Sequence, residues 1–129
     1  MANNVDLPKI IHADLSYQVM KLAFEVHNQL GPGFTEDIYE RAMIVELERN
    51  GIPFKSQKCI DVIYKGQNLG VFRLDIVIDE KIILELKAVK EMNDLFKQQL
   101  LSYLRATGLH LGLLINFGNL KVQSIRVIA

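Results

Sequence analysis

The passage from Ile82 to Phe117 leaves this chain few folds to choose from. Ile82 to Ala88 is a short apolar run suited to a strand, and Asn93 or Asp94 can cap a helix that reaches Thr107. Gly108 closes that helix, and Leu111 to Phe117 is a second, continuous apolar strand. Strand, helix and strand in that order predict one right-handed parallel crossover.

The rest of the chain supplies what surrounds it. Leu15, Val19, Leu22, Ala23, Val26 and Leu30 recur at helical spacing, which predicts an amphipathic helix over Asp14 to Leu30 with Asp14 as its cap. Gly31-Pro32-Gly33 stops it, and Thr35 can cap a second helix running to about Asn50, which Gly51 ends. The pattern then changes to strands at Lys55 to Tyr64 and Leu69 to Ile78, joined by a turn at Lys65-Gly66-Gln67-Asn68. A very short break at Asp79-Glu80-Lys81 precedes Ile82, and Gly118-Asn119 turns into a last strand, Val122 to Ile128. The order is helix, helix, three strands, helix, two strands (ααβββαββ), which predicts an α/β or α+β class with a mixed sheet and no internal repeat.

With 129 residues, half of them apolar, one compact domain with a real core is the expectation. Fifteen basic residues balance fifteen acidic ones, so the broad basic surface of a permanent nucleic-acid resident is excluded, and any such contact must be a local patch. Cys59 is the only cysteine, which rules out an internal disulfide and a cysteine metal cluster. Met1 to Ile11 lacks the charged start and apolar stretch of a signal peptide, and no apolar run is long enough to cross a bilayer. A reducing, cytoplasmic setting fits.

Three charges do not fit a plain fold. Asp75 lies within Val71 to Ile78, and Glu85 and Lys87 lie within Ile82 to Ala88, where an unpaired buried charge is costly. Side chains alternate along a strand, so Glu85 and Lys87 share one face while Leu84 and Leu86 take the other. If the loop is Asp79-Glu80-Lys81, Ile78 pairs with Ile82 and Asp75 falls opposite Glu85. Adjacent carboxylates repel, and a divalent cation between them makes the arrangement tolerable. Hard oxygen donors favour Mg2+ or Mn2+, and Lys87 on the same face can stabilise phosphate charge or help activate water. The plain alternative is an exposed polar stripe or a structural ion pair on a solvated strand face.

Other residues could join the three. Gln99 and Tyr103 sit four apart on the later helix and could orient substrate or water, although Tyr103 packed at the core edge is the simpler account. Glu36 opens the second helix with Glu40 beside it; the helix dipole alone would favour it there, and a functional role would make it a further metal ligand or water-orienting base. His27 could reach in from the first helix as a ligand, although a lone histidine there is more often a hydrogen-bonded, half-buried residue.

Gly33-Phe34-Thr35-Glu36-Asp37-Ile38-Tyr39 spells G-x-x-E-x-x-Y after Leu30-Gly31-Pro32, and resembles the signature of the GxxExxY protein family, which is grouped with the PD-(D/E)XK nuclease superfamily. The likeness continues through Leu69-Gly70, Asp75, Glu85-Leu86-Lys87, Gln99 to Tyr103, Thr107-Gly108 and Leu113 to Gly118, nearly the whole chain. It implies a restriction-endonuclease-like mixed sheet flanked by helices, magnesium on Asp75 and Glu85, and a catalytic Lys87. The Gln99-x-x-x-Tyr103 pair resembles a motif of exonuclease-like branches, in which an early-helix acid also approaches the metal, the place of Glu36. Leu74 stands where the superfamily's name has proline, a variation many branches share.

The expected function is hydrolysis of phosphodiester bonds in DNA by a metal-dependent nuclease. Lys55, Lys58, Lys65, Lys90, Lys97 and Arg105 could form a local basic rim, and a homodimer would set two rims across one duplex. The alternative is a catalytically weak or inactive module of the same fold, serving binding or assembly. A small-ligand site is the weaker third reading, because Gly31-Pro32-Gly33 lacks the spacing of a phosphate-cradling glycine loop.

Overall fold

A computed structural model describes residues 11–129, and most of the polar N-terminal lead lies outside them. The elements are α1 (Ala13–Leu30), α2 (Glu36–Arg49), β1 (Phe54–Tyr64), β2 (Gln67–Ile78), β3 (Ile82–Lys87), α3 (Asp94–Thr107), β4 (Leu111–Asn116) and β5 (Gln123–Ile128). They follow the order expected from the sequence. The five strands form one mixed sheet in the order β1-β2-β3-β4-β5. Only β3 and β4 are parallel, so the crossover through α3 is the single parallel step in an otherwise antiparallel sheet.

Alternation sends the apolar residues of the central strands to two separate cores. Ile76, Ile78, Ile82, Leu84, Leu86, Leu111, Leu113 and Ile115 pack under α1 and α2 with Val19, Val26, Tyr39, Met43 and Leu47. Ile83, Leu114 and Val127 point the other way, onto Leu100 and Leu104 of α3. Gly112 faces α3 as well, where an added Cβ would lie 2.8 Å from the Leu100 side chain, so β4 and α3 approach as closely as they do only with glycine there. The charge pattern of β3 follows: the buried leucines on either side of Glu85 belong to the α1/α2 core, leaving Glu85 and Lys87 for the other face.

Several boundaries moved. The cap of α1 is His12 rather than Asp14, which sits in the first turn, where a carboxylate meets the positive end of the helix dipole. Thr35 does cap α2, without a side-chain hydrogen bond, and the C-cap of α2 is Asn50, with Gly51 following in the left-handed region at φ 65°. The turn between β1 and β2 is shorter than expected, because Gln67 and Asn68 pair in the ladder and leave Lys65-Gly66 as a two-residue connection. Both residues have positive φ, the geometry that matches a tight hairpin to the twist of its strands. The α3 caps are those expected: Asn93 accepts from the Leu95 N–H at 2.8 Å, and Gly108 ends the helix at φ 76°.

Candidate functional site

Asp75 and Glu85 meet where β2 and β3 stop pairing. The β2–β3 ladder runs from Ile78↔Ile82 to Ile76↔Leu84, the register read from the short loop. At the next row the side chains replace the backbone partners. The Leu86 N–H donates to Asp75 Oδ2 at 3.0 Å, and the Asp75 N–H reaches Glu85 Oε1 at 3.4 Å. Leu74 and Val77 both face the α3 core, so the alternation of β2 slips once between them, at the aspartate. The slip turns the Asp75 carboxylate into the gap between the strands.

Beside that gap lies an acidic pocket. Its walls are Glu36, Asp37 and Glu40 from α2, Gln57 from β1 and Asp75. Glu85 is 6% exposed, and burial, reinforced by the neighbouring Asp75 charge, pushes its carboxyl up to about 8. Burial raises Asp75 too, opposed by the Leu86 N–H bond and by Lys87. Glu36 and Glu40 are raised by burial and by repulsion from Asp75. Five carboxylates, Glu85 included, therefore gather here; Asp37 is paired with Arg41 at 3.1 Å, and the close ammonium is Lys87, whose Nζ also stands 4.5 Å from the centre of the Phe96 ring on α3.

The G-x-x-E-x-x-Y stretch places Glu36. Gly31 and Gly33 adopt φ of 67° and 116°, backbone that side chains rarely allow, and so turn the chain from α1 into α2. Tyr39, one helical turn past Glu36, is fully buried; its hydroxyl donates to the Gly31 carbonyl at 2.5 Å and accepts from the Phe34 N–H at 3.3 Å. Its ring stacks on Phe117 at 4.7 Å, and the Phe117 N–H in turn donates to the Lys87 carbonyl at 2.8 Å. One buried ring thus joins the turn that sets Glu36 to the strand end that carries Lys87.

The other candidates divide. Tyr103 stacks on Phe72 at 4.4 Å and feels the charges of Glu85 and Asp75, although burial is the main cause of its raised pKa. Gln99 is exposed, and no hydrogen bond joins it to the carboxylates among the described residues. His27 is held elsewhere, with Nε2 2.8 Å from the Asn119 carbonyl and its ring stacked on Phe117.

Three contributors were given no role by the sequence reading. Glu40 was legible in principle, because four residues after Glu36 it must share that face of α2. Gln57 could be found only from the strand register: it lies between the pairs Ser56↔Ile76 and Lys58↔Leu74, in the row of Asp75, and donates to Glu40 Oε1 at 2.6 Å. It does so at φ 54°, a left-handed conformation that is uncommon for a side chain of this kind. Asn116 is wholly buried beside Lys87 in the β3–β4 ladder; its side chain accepts from the Val89 N–H at 2.9 Å and donates to the Val89 carbonyl at 2.8 Å. The chain leaving Lys87 is thereby fixed.

Among the described residues no three or more His, Cys, Asp or Glu side chains are arranged to enclose a metal ion. A cation here would rest on Asp75 and Glu85, with water or substrate oxygens in its other positions. That sparse, all-oxygen donor set fits Mg2+ or Mn2+, which is commonly held by one or two carboxylates together with substrate phosphate. The carboxyls of Glu36, Glu40, Asp75 and Glu85 are all raised chiefly by burial, which disfavours their charged forms.

Among solved structures, that of SSO0001 superposes with a TM-score of 0.54 at 17% sequence identity, over 94% of this chain and 60% of that one. The likeness is one of fold, and this chain spans less than two thirds of that relative. No curated protein matches the chain. A family model described as the PD-(D/E)XK nuclease superfamily matches residues 13–127, a span that takes in Glu36, Asp75, Glu85, Lys87, the first four strands and all but the last residue of β5. The mixed sheet, the split between β2 and β3 and this match agree: the chain belongs to the PD-(D/E)XK nuclease superfamily.

Proposed function

We propose that this protein is a metal-dependent nuclease that hydrolyses phosphodiester bonds in DNA, of the GxxExxY type within its superfamily. The carrying observation is the interlocked pair: Asp75 and Glu85 each hydrogen-bond to the other's strand, and Lys87 follows two residues later. A divalent cation between them would supply positive charge to the phosphoryl group in its transition state. The carboxylates of Asp75 and Glu85 would hold it there, and hydrogen bonds to the facing strands fix both side chains before substrate arrives. Lys87 faces the same gap and can donate from Nζ to a phosphate oxygen as charge develops there. Glu36, kept basic by its partly desolvated place on the pocket wall, can accept a proton from the attacking water. Tyr103, and Gln99 one turn before it, stand on the α3 side to orient substrate.

The neutral charge balance favours a second reading, a module of the same fold that binds metal and nucleic acid without cleaving it. Incubation with single-stranded, duplex and branched DNA in Mg2+ or Mn2+ separates the two. Cleavage that disappears in Asp75→Ala, Glu85→Ala and Lys87→Ala establishes the nuclease; metal binding without cleavage of any substrate establishes the module. The protein is read as working in the cytoplasm. Among the described residues no helix is long and apolar enough to cross a membrane.

A further inference from the structure

The β1–β2 hairpin is longer than the sheet that carries it. β1 and β2 contain 11 and 12 residues, against 6 in β3. Carrying the β2–β3 register forward sets Arg73 level with Lys87, the last residue of β3, so the ribbon continues past the strand end on which the carboxylates sit. Ile60 and Phe72 still pack on the α3 core, Phe72 against Tyr103. From Asp61 to Val71 every residue is exposed and none of the other described residues covers it, a projection of about 15 Å at the usual strand rise.

Its surface is unusual for an uncovered element. Ile63, Tyr64, Leu69 and Val71 are 58–64% exposed. Lys58, Lys65 and Arg73 face a single carboxylate, Asp61, so the ribbon carries a positive surplus that the chain as a whole lacks. Lys65 and Arg73 are exposed and take part in no ion pair among the described residues. An uncovered β1 edge could instead pair with a second copy. Two features oppose this: the register shifts between Val62 and Ile63, and Lys58 lies along the strand, both of which blunt an edge against pairing.

We propose that the free end of this hairpin is a DNA-binding arm that lies in the major groove of the duplex whose backbone reaches Asp75 and Glu85. The inference rests on the nuclease reading for the position of the substrate. A two-stranded ribbon fits the major groove of B-form DNA, whereas the major groove of duplex RNA is too deep and narrow for it. Lys65 and Arg73 neutralise phosphates on the groove walls. Ile63, Leu69 and Val71 offer apolar contact to thymine methyl groups, and the tip residues Gln67 and Asn68 offer hydrogen-bonding groups to base edges.

The test is fluorescence anisotropy with a labelled DNA duplex in EDTA, where no cleavage occurs, across a salt series. The variants are Lys65→Ala/Arg73→Ala and Ile63→Ser/Leu69→Ser, each with its Mn2+ isotherm measured calorimetrically to show an intact site. The arm is supported if the charge variant binds DNA about 10-fold more weakly, with a log–log salt slope shallower by about two, and its metal isotherm is unchanged. Unchanged DNA affinity in both variants overturns it. So does equal affinity for duplex RNA, or a dimer in sedimentation that Ile63→Ser/Leu69→Ser dissolves without altering DNA binding. Cleavage by the unmodified protein is scored separately. Arm-dependent binding without cleavage sinks the nuclease reading alone, and cleavage indifferent to the arm sinks the arm alone.

Discussion

Replacing Glu85 with glutamine should make the metal-free protein more stable at pH 8 while abolishing cation binding at the proposed site. The glutamine keeps an oxygen to accept from the Asp75 N–H, so the perturbation removes charge and little else. In the folded chain Glu85 ionises only near 8, and in the unfolded chain near the ordinary 4.5. The folded state therefore holds the proton more tightly. Stability from this group is fully present below pH 4.5 and is lost as pH rises toward 8. A shift of that size corresponds to at most about 5 kcal/mol, and water reaching the adjoining open pocket reduces the expected loss to about 3 kcal/mol. Urea denaturation in EDTA at pH values from 5 to 8 measures it. The original protein should weaken across that window relative to Glu85→Gln, the two agreeing near pH 5 and separating by about 3 kcal/mol at pH 8. Parallel profiles would refute the argument, because they would mean that the Glu85 carboxylate is already compensated without a cation. Asp75, Glu36 and Glu40 are shifted in the same direction and remain in both proteins, so the difference reports Glu85 together with its coupling to Asp75 and Glu36.

Further outcomes follow from the same geometry. Mn2+ binding must displace the Glu85 proton, so its apparent affinity should strengthen up to about 10-fold per pH unit between pH 6 and 8, with proton release visible as buffer-dependent heat in calorimetry; flat affinity would contradict the raised pKa. Asp75→Ala should abolish any Mg2+-induced rise in melting temperature and, by stranding the buried Leu86 N–H, cost about 1–3 kcal/mol, offset in part by relief of repulsion. Tyr39→Phe removes both bonds to the turn before α2 and should cost about 1–3 kcal/mol in denaturant titrations, with metal binding weakened as Glu36 loses its fixed position. Gly118→Ala would drive a Cβ to 2.5 Å from the Val89 backbone and should destabilise by more than about 3 kcal/mol, whereas Gly108→Ala, with open space around it, should cost about 1 kcal/mol for its positive φ.

Much of this protein is written in local patterns. Element order, the parallel step through α3, the Asn93 and Gly108 caps and the pairing of Ile78 with Ile82 all follow from periodicity, capping chemistry and a loop too short to allow another register. The same loop length brings Asp75 level with Glu85, and alternation puts Lys87 on the face of Glu85. What sequence spacing could not supply was anything that depends on two distant segments meeting. The slip in β2 that turns Asp75 into the gap exists because Leu74 and Val77 must both reach the α3 core. His27 spends its Nε2 on a carbonyl 92 residues away. Gln57 reaches Glu40 only because β1 is held beside β2 in one register. Spacing along the chain fixes which side of an element a residue occupies, since 3.6 and 2 are local periods. Whether the charge found there is buried, paired or left to a cation depends on which elements close over it, and that was decided by the packing of α2, α3 and the β1–β2 hairpin around the open end of β3.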